Sequence, residues 1–215
     1  MIKKIRASNF EKVLLIFIIL LAIFASSSFY IIKNKCLFIK KYNPESLTFK
    51  KPENIAILNT NCGNVIIELY PLIAPNAVER FKTLIKSGSY NNVAFHRVIP
   101  KVLVQTGDLE FGKKNKINYG KIGTGKSKLG SINSELMANF SFVRGSVGLV
   151  RTHEKNTEDS QFFILLVDAP LYEGEYTPVG KVIYGIEVLD KVKFDRKSEY
   201  VLRPDFINIF KMYKK

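Results

Sequence analysis

Histidine and cysteine are scarce: the 215-residue chain has two of each, and it has no tryptophan. Cys36 and Cys62 are too few for a disulfide framework and stand in no metal-ligand spacing, so no metal site is expected. No nucleophile is paired with a base, and no carboxylate pair offers acid–base chemistry. A chain so equipped can hold and twist a substrate but is poorly equipped to cut one. Acidic residues are also in deficit, 19 against 33 lysines and arginines, for a net charge of +14. The excess is uneven. Residues 1–51 carry ten Lys or Arg against Glu11 and Glu45, whereas residues 52–215 carry 23 against 17 acids. Nucleic-acid binding calls for a basic stripe interleaved with exposed aromatics. Here the basic residues flank an apolar run instead, which points to a membrane surface and away from nucleic acid.

That run is Val13–Ile32, interrupted only by Ser26-Ser27-Ser28 and Tyr30. Twenty helical residues cover about 30 Å, one hydrocarbon thickness. Lys3, Lys4, Arg6 and Lys12 precede it, as in a secretory n-region. Two readings stay open: an uncleaved signal anchor, or a signal peptide cut near Ala25-Ser26-Ser27. The apolar character resumes at Phe29-Tyr30-Ile31-Ile32, which favours the anchor. Either way the rest of the chain is expected outside the cytoplasm: membrane-anchored, and periplasmic in a Gram-negative cell, or soluble if the segment is removed. Both cysteines follow the run and share one compartment; their spacing leaves a disulfide open.

Four regions are expected: a basic tail over 1–12, a spanning segment over 13–32, a basic linker over 33–52 and one domain over 53–215. The domain reads as eight short strands at Asn54–Leu58, Val65–Leu69, Val93–Ile99, Val102–Gln105, Ser146–Val150, Phe162–Val167, Val179–Ile183 and Phe206–Met212. Helices are expected over Ala74–Ser87, where Ala77, Phe81, Leu84 and Ile85 share one face, and over Ile186–Val192. Many strands with one early and one late helix predict a mostly β fold: a closed eight-stranded antiparallel barrel with helices at its ends. Gly120–Ser127 matches the phosphate-loop pattern letter for letter. No buried strand leads into it and no helix follows, so no nucleotide is expected there.

Three motifs carry the chemistry: Phe95-His96-Arg97-Val98-Ile99-Pro100, Gln105-Thr106-Gly107-Asp108 and Ser160-Gln161-Phe162-Phe163-Ile164. They set an arginine and glutamines beside apolar and aromatic residues, the makings of a shallow apolar pocket with a few aimed polar groups. With Gly145-Ser146-Val147-Gly148 and Tyr176-Thr177-Pro178-Val179-Gly180-Lys181-Val182, this ordered set resembles the cyclophilin family of peptidyl-prolyl isomerases over about Ile55 to Lys193. The stretch Leu149-Val150-Arg151-Thr152 is similar to bacterial members. The resemblance implies a barrel capped by two helices and acceleration of X–Pro bond rotation in unfolded polypeptides. It implies no cofactor, and the chain is expected to act as a monomer. Arg97 matches the catalytic arginine, with Gln105 and His96 beside it. Phe163, Gln161, Val102, Leu103, Leu171 and Tyr176 match pocket positions, and Leu149, Val150 and Arg151 fall on the peptide-binding stretch. The family often has an aromatic where this chain has Val102 and a tryptophan where it has Leu171, so a less aromatic proline pocket is expected. The alternative is a membrane-tethered proline-peptide-binding chaperone with little turnover.

Overall fold

The computed structural model describes residues 8–33 and 35–214, in two compact units, 1–38 and 39–215. The basic residues Lys3, Lys4 and Arg6 of the expected tail lie outside the described residues. The first unit holds one helix, α1 (Asn9–Lys33), long and apolar enough over Asn9–Ile31 to cross a membrane. Its start is a reciprocal cap: Ser8 N–H donates to Glu11 Oε2 at 2.7 Å, and Glu11 N–H donates to Ser8 Oγ at 3.2 Å. The serines do not break it. Ser26 Oγ donates to the Ala22 carbonyl at 2.8 Å and Ser27 Oγ to that of Ile23 at 2.7 Å, so both hydroxyls are satisfied inside the helix. Neither Cys36 nor Cys62 is a free thiol; both are disulfide-bonded.

The second unit is a strongly curled sheet of eight antiparallel strands: β1 (Ile55–Thr60), β2 (Gly63–Leu69), β3 (Arg97–Ile99), β4 (Leu103–Thr106), β5 (Ser146–Leu149), β6 (Phe162–Leu165), β7 (Pro178–Tyr184) and β8 (Ile209–Met212). The order across the sheet is β3-β4-β6-β5-β7-β2-β1-β8. Two strands are shorter than their β-rich runs predict. Val93 and Ala94 make isolated bridges to Lys113 and Phe206 instead of a continuous ladder, so β3 starts only at Arg97. Residues 199–207 likewise form no regular strand but cover the open side of β3. Val98 N–H donates to the Glu199 carbonyl at 2.8 Å, Val201 N–H to that of His96 at 2.9 Å, and Phe95 N–H to that of Asp205 at 3.0 Å. This irregular segment takes up the edge that an open sheet would expose.

Helix α2 (Pro75–Lys86) has proline at its first turn, where a missing N–H costs nothing. No side chain of its own caps it. Glu135 instead accepts from Asn76 N–H at 3.1 Å and Ala77 N–H at 2.8 Å, putting negative charge at the positive end of the helix. The late helix α3 is only Ile186–Leu189, because Lys191 and Val192 close tighter turns onto Val188 and Leu189. The expected linker is in part packed rather than free. The Tyr42 ring meets Tyr184 at 5.2 Å, Phe49 meets Tyr213 at 4.9 Å, and Asn64 Nδ2 donates to the Tyr42 carbonyl at 3.0 Å.

Inside the barrel, α2 drives Phe81 against Tyr90 at 5.4 Å, Phe162 at 4.9 Å and Phe210 at 5.6 Å, all four rings fully buried. These rings join the helix to β6 and β8. Replacing Phe81 by alanine should lower unfolding free energy by about 3–5 kcal/mol, the usual loss for a buried aromatic. Urea unfolding followed by circular dichroism measures it; a loss below ~1 kcal/mol would place the core elsewhere.

Candidate active site

The site follows from strand register. Arg97 stands opposite Gln105 across β3 and β4, Gln105 opposite Phe163 across β4 and β6, and Phe163 opposite Gly148 across β6 and β5. Directly opposed residues share a face of the sheet. One row therefore runs from a cation, through an amide, to an aromatic ring. The alternate residues Val104, Phe162, Ile164 and Val147 form the buried set inside the barrel. Glycine ends the row because Phe163 lies over it: a Cβ at Gly148 would stand 2.5 Å from the ring Cζ.

Polar contacts fix the left half of the row. Arg97 Nη1 donates to Gln105 Oε1 at 3.2 Å, and Gln105 Nε2 donates to Gln161 Oε1 at 3.0 Å. Gln161 Nε2 donates in turn to the carbonyls of Gly123 and Gly125, each at 2.9 Å. Those two carbonyls set the rotamer of Gln161, which sets the amide orientation of Gln105 and turns its oxygen toward Arg97. A groove of about 630 Å³ opens here, bordered by Arg97, Gln105, Gln161, Gly123–Lys126 and Val150–His153.

The glycine loop is the phosphate-loop look-alike, and its backbone N–H groups already have an anion. Asp108 Oδ2 accepts from Gly123 N–H at 2.7 Å and Gly125 N–H at 3.1 Å. Asp159 accepts from Ser127 N–H at 2.8 Å and pairs with Arg80 Nη1 at 2.9 Å. Gly125 has to be glycine, since a Cβ would fall 2.0 Å from Asp108 Oδ1. The donors that a phosphate would need are taken by two buried carboxylates of the chain itself.

The right half is an aromatic cup. Phe163 packs with Leu103, Phe142 and Leu165, with Ile99, Val150, Tyr172 and Tyr176 partly buried against them. Tyr172 and Tyr176 lie edge-on to Phe163 at 5.4 and 5.2 Å and meet each other at 4.8 Å. Arg151 covers the Tyr176 ring at 5.4 Å and pairs with Glu175 at 2.8 Å. Phe142, Phe163, Tyr172 and Tyr176 all belong to this cluster. Leu171, expected in the wall, is 90% exposed, and its neighbour Tyr172 faces Phe163 instead. Val102 is also solvent-exposed, in the turn before β4. Leu149 differs from the other expected site positions: it pairs with Phe162 and is fully buried on the inner face of the sheet. Tyr172 and Glu199 are the side chains that the motifs missed. Tyr172 sits beside a matched position, so its size was a usable signal. Glu199 is 102 residues from Arg97 and offers no local one.

His96 is fully buried beside Gln105, its Nε2 3.4 Å from Gln105 Nε2, with the Tyr200 ring stacked at 6.5 Å. Burial pushes its pKa down to about 4, against the opposing pull of the Asp108 carboxylate. The imidazole is therefore neutral at pH 7, a wall beside Arg97 rather than a second cation.

The fold class is a curled half-barrel of eight antiparallel strands that sets a guanidinium, an amide and an aromatic ring in one row. Comparison with known proteins gives the particular family. The model of the cyclophilin type peptidyl-prolyl cis-trans isomerase domain matches residues 55–212. A Brucella suis protein named "Probable peptidyl-prolyl cis-trans isomerase" is 45% identical over 162 residues, 73% of this chain and 81% of its own. A peptidyl-prolyl cis-trans isomerase of Acinetobacter baylyi is 34% identical over 148 residues, 66% of this chain and 73% of its own. The crystal structure of a Cryptosporidium parvum cyclophilin type isomerase in the presence of the dipeptide Ala-Pro superposes with a TM-score of 0.65 at 26% identity, covering 75% of this chain and 99% of that one. The chain belongs to the cyclophilin-type peptidyl-prolyl cis-trans isomerases, and its activity is that of an isomerase.

The neutral His96 carries a consequence for stability. An unfolded histidine takes up a proton below about pH 6.5, whereas the folded one stays neutral down to about 4. Between those values the unfolded state binds more protons, so stability falls as pH falls. His96→Asn should lose that component: its Tm should drop less than the parent's between pH 7 and pH 4.5, measured by circular dichroism in matched buffers. Parallel Tm-against-pH curves would mean that His96 is protonated in the folded protein.

Proposed function

We propose that Arg97 is the group that accelerates rotation and that the aromatic cup around Phe163 holds the proline. The carrying observation is the shared row: Arg97, Gln105 and Phe163 stand on three adjacent strands, each opposite the next. Rotation about an X–Pro bond must break amide resonance, against a barrier near ~20 kcal/mol. In the twisted state the prolyl nitrogen becomes pyramidal and regains a lone pair. A guanidinium directed at that nitrogen stabilises the twisted form more than the planar one, which is the condition for catalysis. Arginine suits the task because it stays charged and presents a rigid fork of donors. Gln105 holds the carbonyl side of the bond, with Gln161 fixing its orientation, and Val150 and Arg151 line the peptide on the far side. Leu103, Tyr172 and Tyr176 join Phe163 in excluding water from the pyrrolidine ring. No proton moves, in keeping with a buried His96 that stays neutral.

The substrates on this reading are exposed proline segments of unfolded polypeptides, and the chain acts as a monomer. The place of action is outside the cytoplasm, with Val13–Ile32 as an uncleaved anchor. Two observations support it: a helix long and apolar enough to span, and cysteines in the disulfide state, which persists in oxidising compartments.

Arg97→Ala should lower kcat/KM for an Ala-Pro peptide at least tenfold, about 1.4 kcal/mol of differential stabilisation, in a protease-coupled assay on the full chain in detergent. Equal activity at matching circular dichroism would remove Arg97 from the mechanism. For the anchor, the full-length protein should stay in the membrane fraction after carbonate extraction, with its domain open to protease added on the far side. A mature N-terminus near Ser26–Tyr30 in the soluble fraction would show a cleaved signal peptide instead.

A further inference from the structure

Arg97 is not held by Gln105 alone. Glu199 Oε2 accepts from Arg97 Nε at 2.8 Å and stands 2.7 Å from Nη2. The carboxylate therefore grips one edge of the guanidinium, while Nη1 points to Gln105 at 3.2 Å. The remaining N–H groups of Nη1 and Nη2 have no partner among the described residues. Glu199 arrives from the segment that covers β3, in which Tyr200 bridges Arg97 and Val98 N–H donates to the Glu199 carbonyl. Both side chains border the same groove. From this geometry we propose that Glu199 is a positioning residue for the isomerisation. It locks the Arg97 fork so that the unclaimed N–H groups face the bound X–Pro bond. The proposal rests on Arg97 acting as read above.

The reasoning is one of side-chain freedom. Arg97 sits on a three-residue strand with its side chain 28% exposed, so its long stem would otherwise sample several rotamers. A guanidinium that must be ordered at the twisted state loses that freedom during the reaction. A two-point hold by a carboxylate removes it beforehand. An exposed pair of this kind adds little to folding, so its effect is expected in catalysis and not in stability. The carboxylate itself is 53% exposed and leaves no cavity when replaced by its amide isostere.

Glu199→Gln in the full chain in detergent should lower kcat for an Ala-Pro peptide about fivefold with KM nearly unchanged, the mark of an interaction felt only at the transition state. Its Tm should stay within about 2 °C of the parent. In the Arg97→Ala background the same substitution should change kcat/KM less than twofold, because a residue that acts through Arg97 has nothing left to position. Asp190→Asn, which removes the acid of the exposed Arg144–Asp190 pair, serves as a charge control and should match the parent. Unchanged or raised activity in Glu199→Gln overturns the proposal. So does an equal loss in both backgrounds, or an equal loss in the charge control. An Arg97→Ala protein as active as its parent would sink the reading of Arg97 itself, and is told apart from these outcomes by that single variant.

Discussion

Everything at the groove depends on the register of β3 against β4 and of β4 against β6. Side chains on a strand alternate between faces, so a slip of one residue would send Arg97 into the barrel and Val98 out to the groove. The slip is blocked from both sides. Val104, Phe162 and Ile164 are fully buried, and Phe162 is locked among Phe81, Tyr90 and Phe210. The interior aromatic cluster thus determines where the outer row falls. An interior contact and a contact of the outer row sit on neighbouring residues, Phe162 and Phe163, and one fixes the other.

The glycine loop shows how a motif can keep its letters and change its chemistry. A loop rich in glycine exposes backbone N–H groups and gathers an anion. In a phosphate loop the anion is a ligand. Here Asp108 fills the cradle, with Glu110 and Phe111 N–H groups on its other oxygen at 3.1 and 2.7 Å. The anchored loop then turns two carbonyls toward Gln161. A buried carboxylate, four backbone donors and two backbone acceptors thereby place a single amide, and that amide reaches Arg97 through Gln105. Every buried member is satisfied, the condition under which a polar network rigidifies rather than weakens its surroundings.

The strands, the first helix and the apolar N-terminal helix were legible because each depends on local pattern. So were Arg97, Gln105, Gln161 and Phe163, which lie in short motifs and meet by strand pairing. What failed did so for physical reasons. Leu149 lies between two groove-facing positions, and the motif alone did not apply the alternation that turns it inward. Leu171 turns to solvent while Tyr172, one residue on, packs against Phe163, a choice that residue type alone does not announce. The irregular cover over 199–207 has no period at all, so nothing in its sequence announces that it lies against β3.

That irregular cover also explains how Arg97 can stand at a sheet edge. An edge strand leaves a row of backbone donors and acceptors open to any passing strand. A regular ninth strand would protect the edge along its whole length, with its side chains in strict alternation. The cover bonds instead through scattered pairs: Phe95 with Asp205, Val98 with Glu199, Val201 with His96, and Ile207 with both Asn92 and Val93. It satisfies the backbone of the β3 region while its side chains diverge: Tyr200 over His96 and Glu199 along the guanidinium. Protection of the edge and the setting of Arg97 are accordingly one solution, reached by giving up regular structure beside β3.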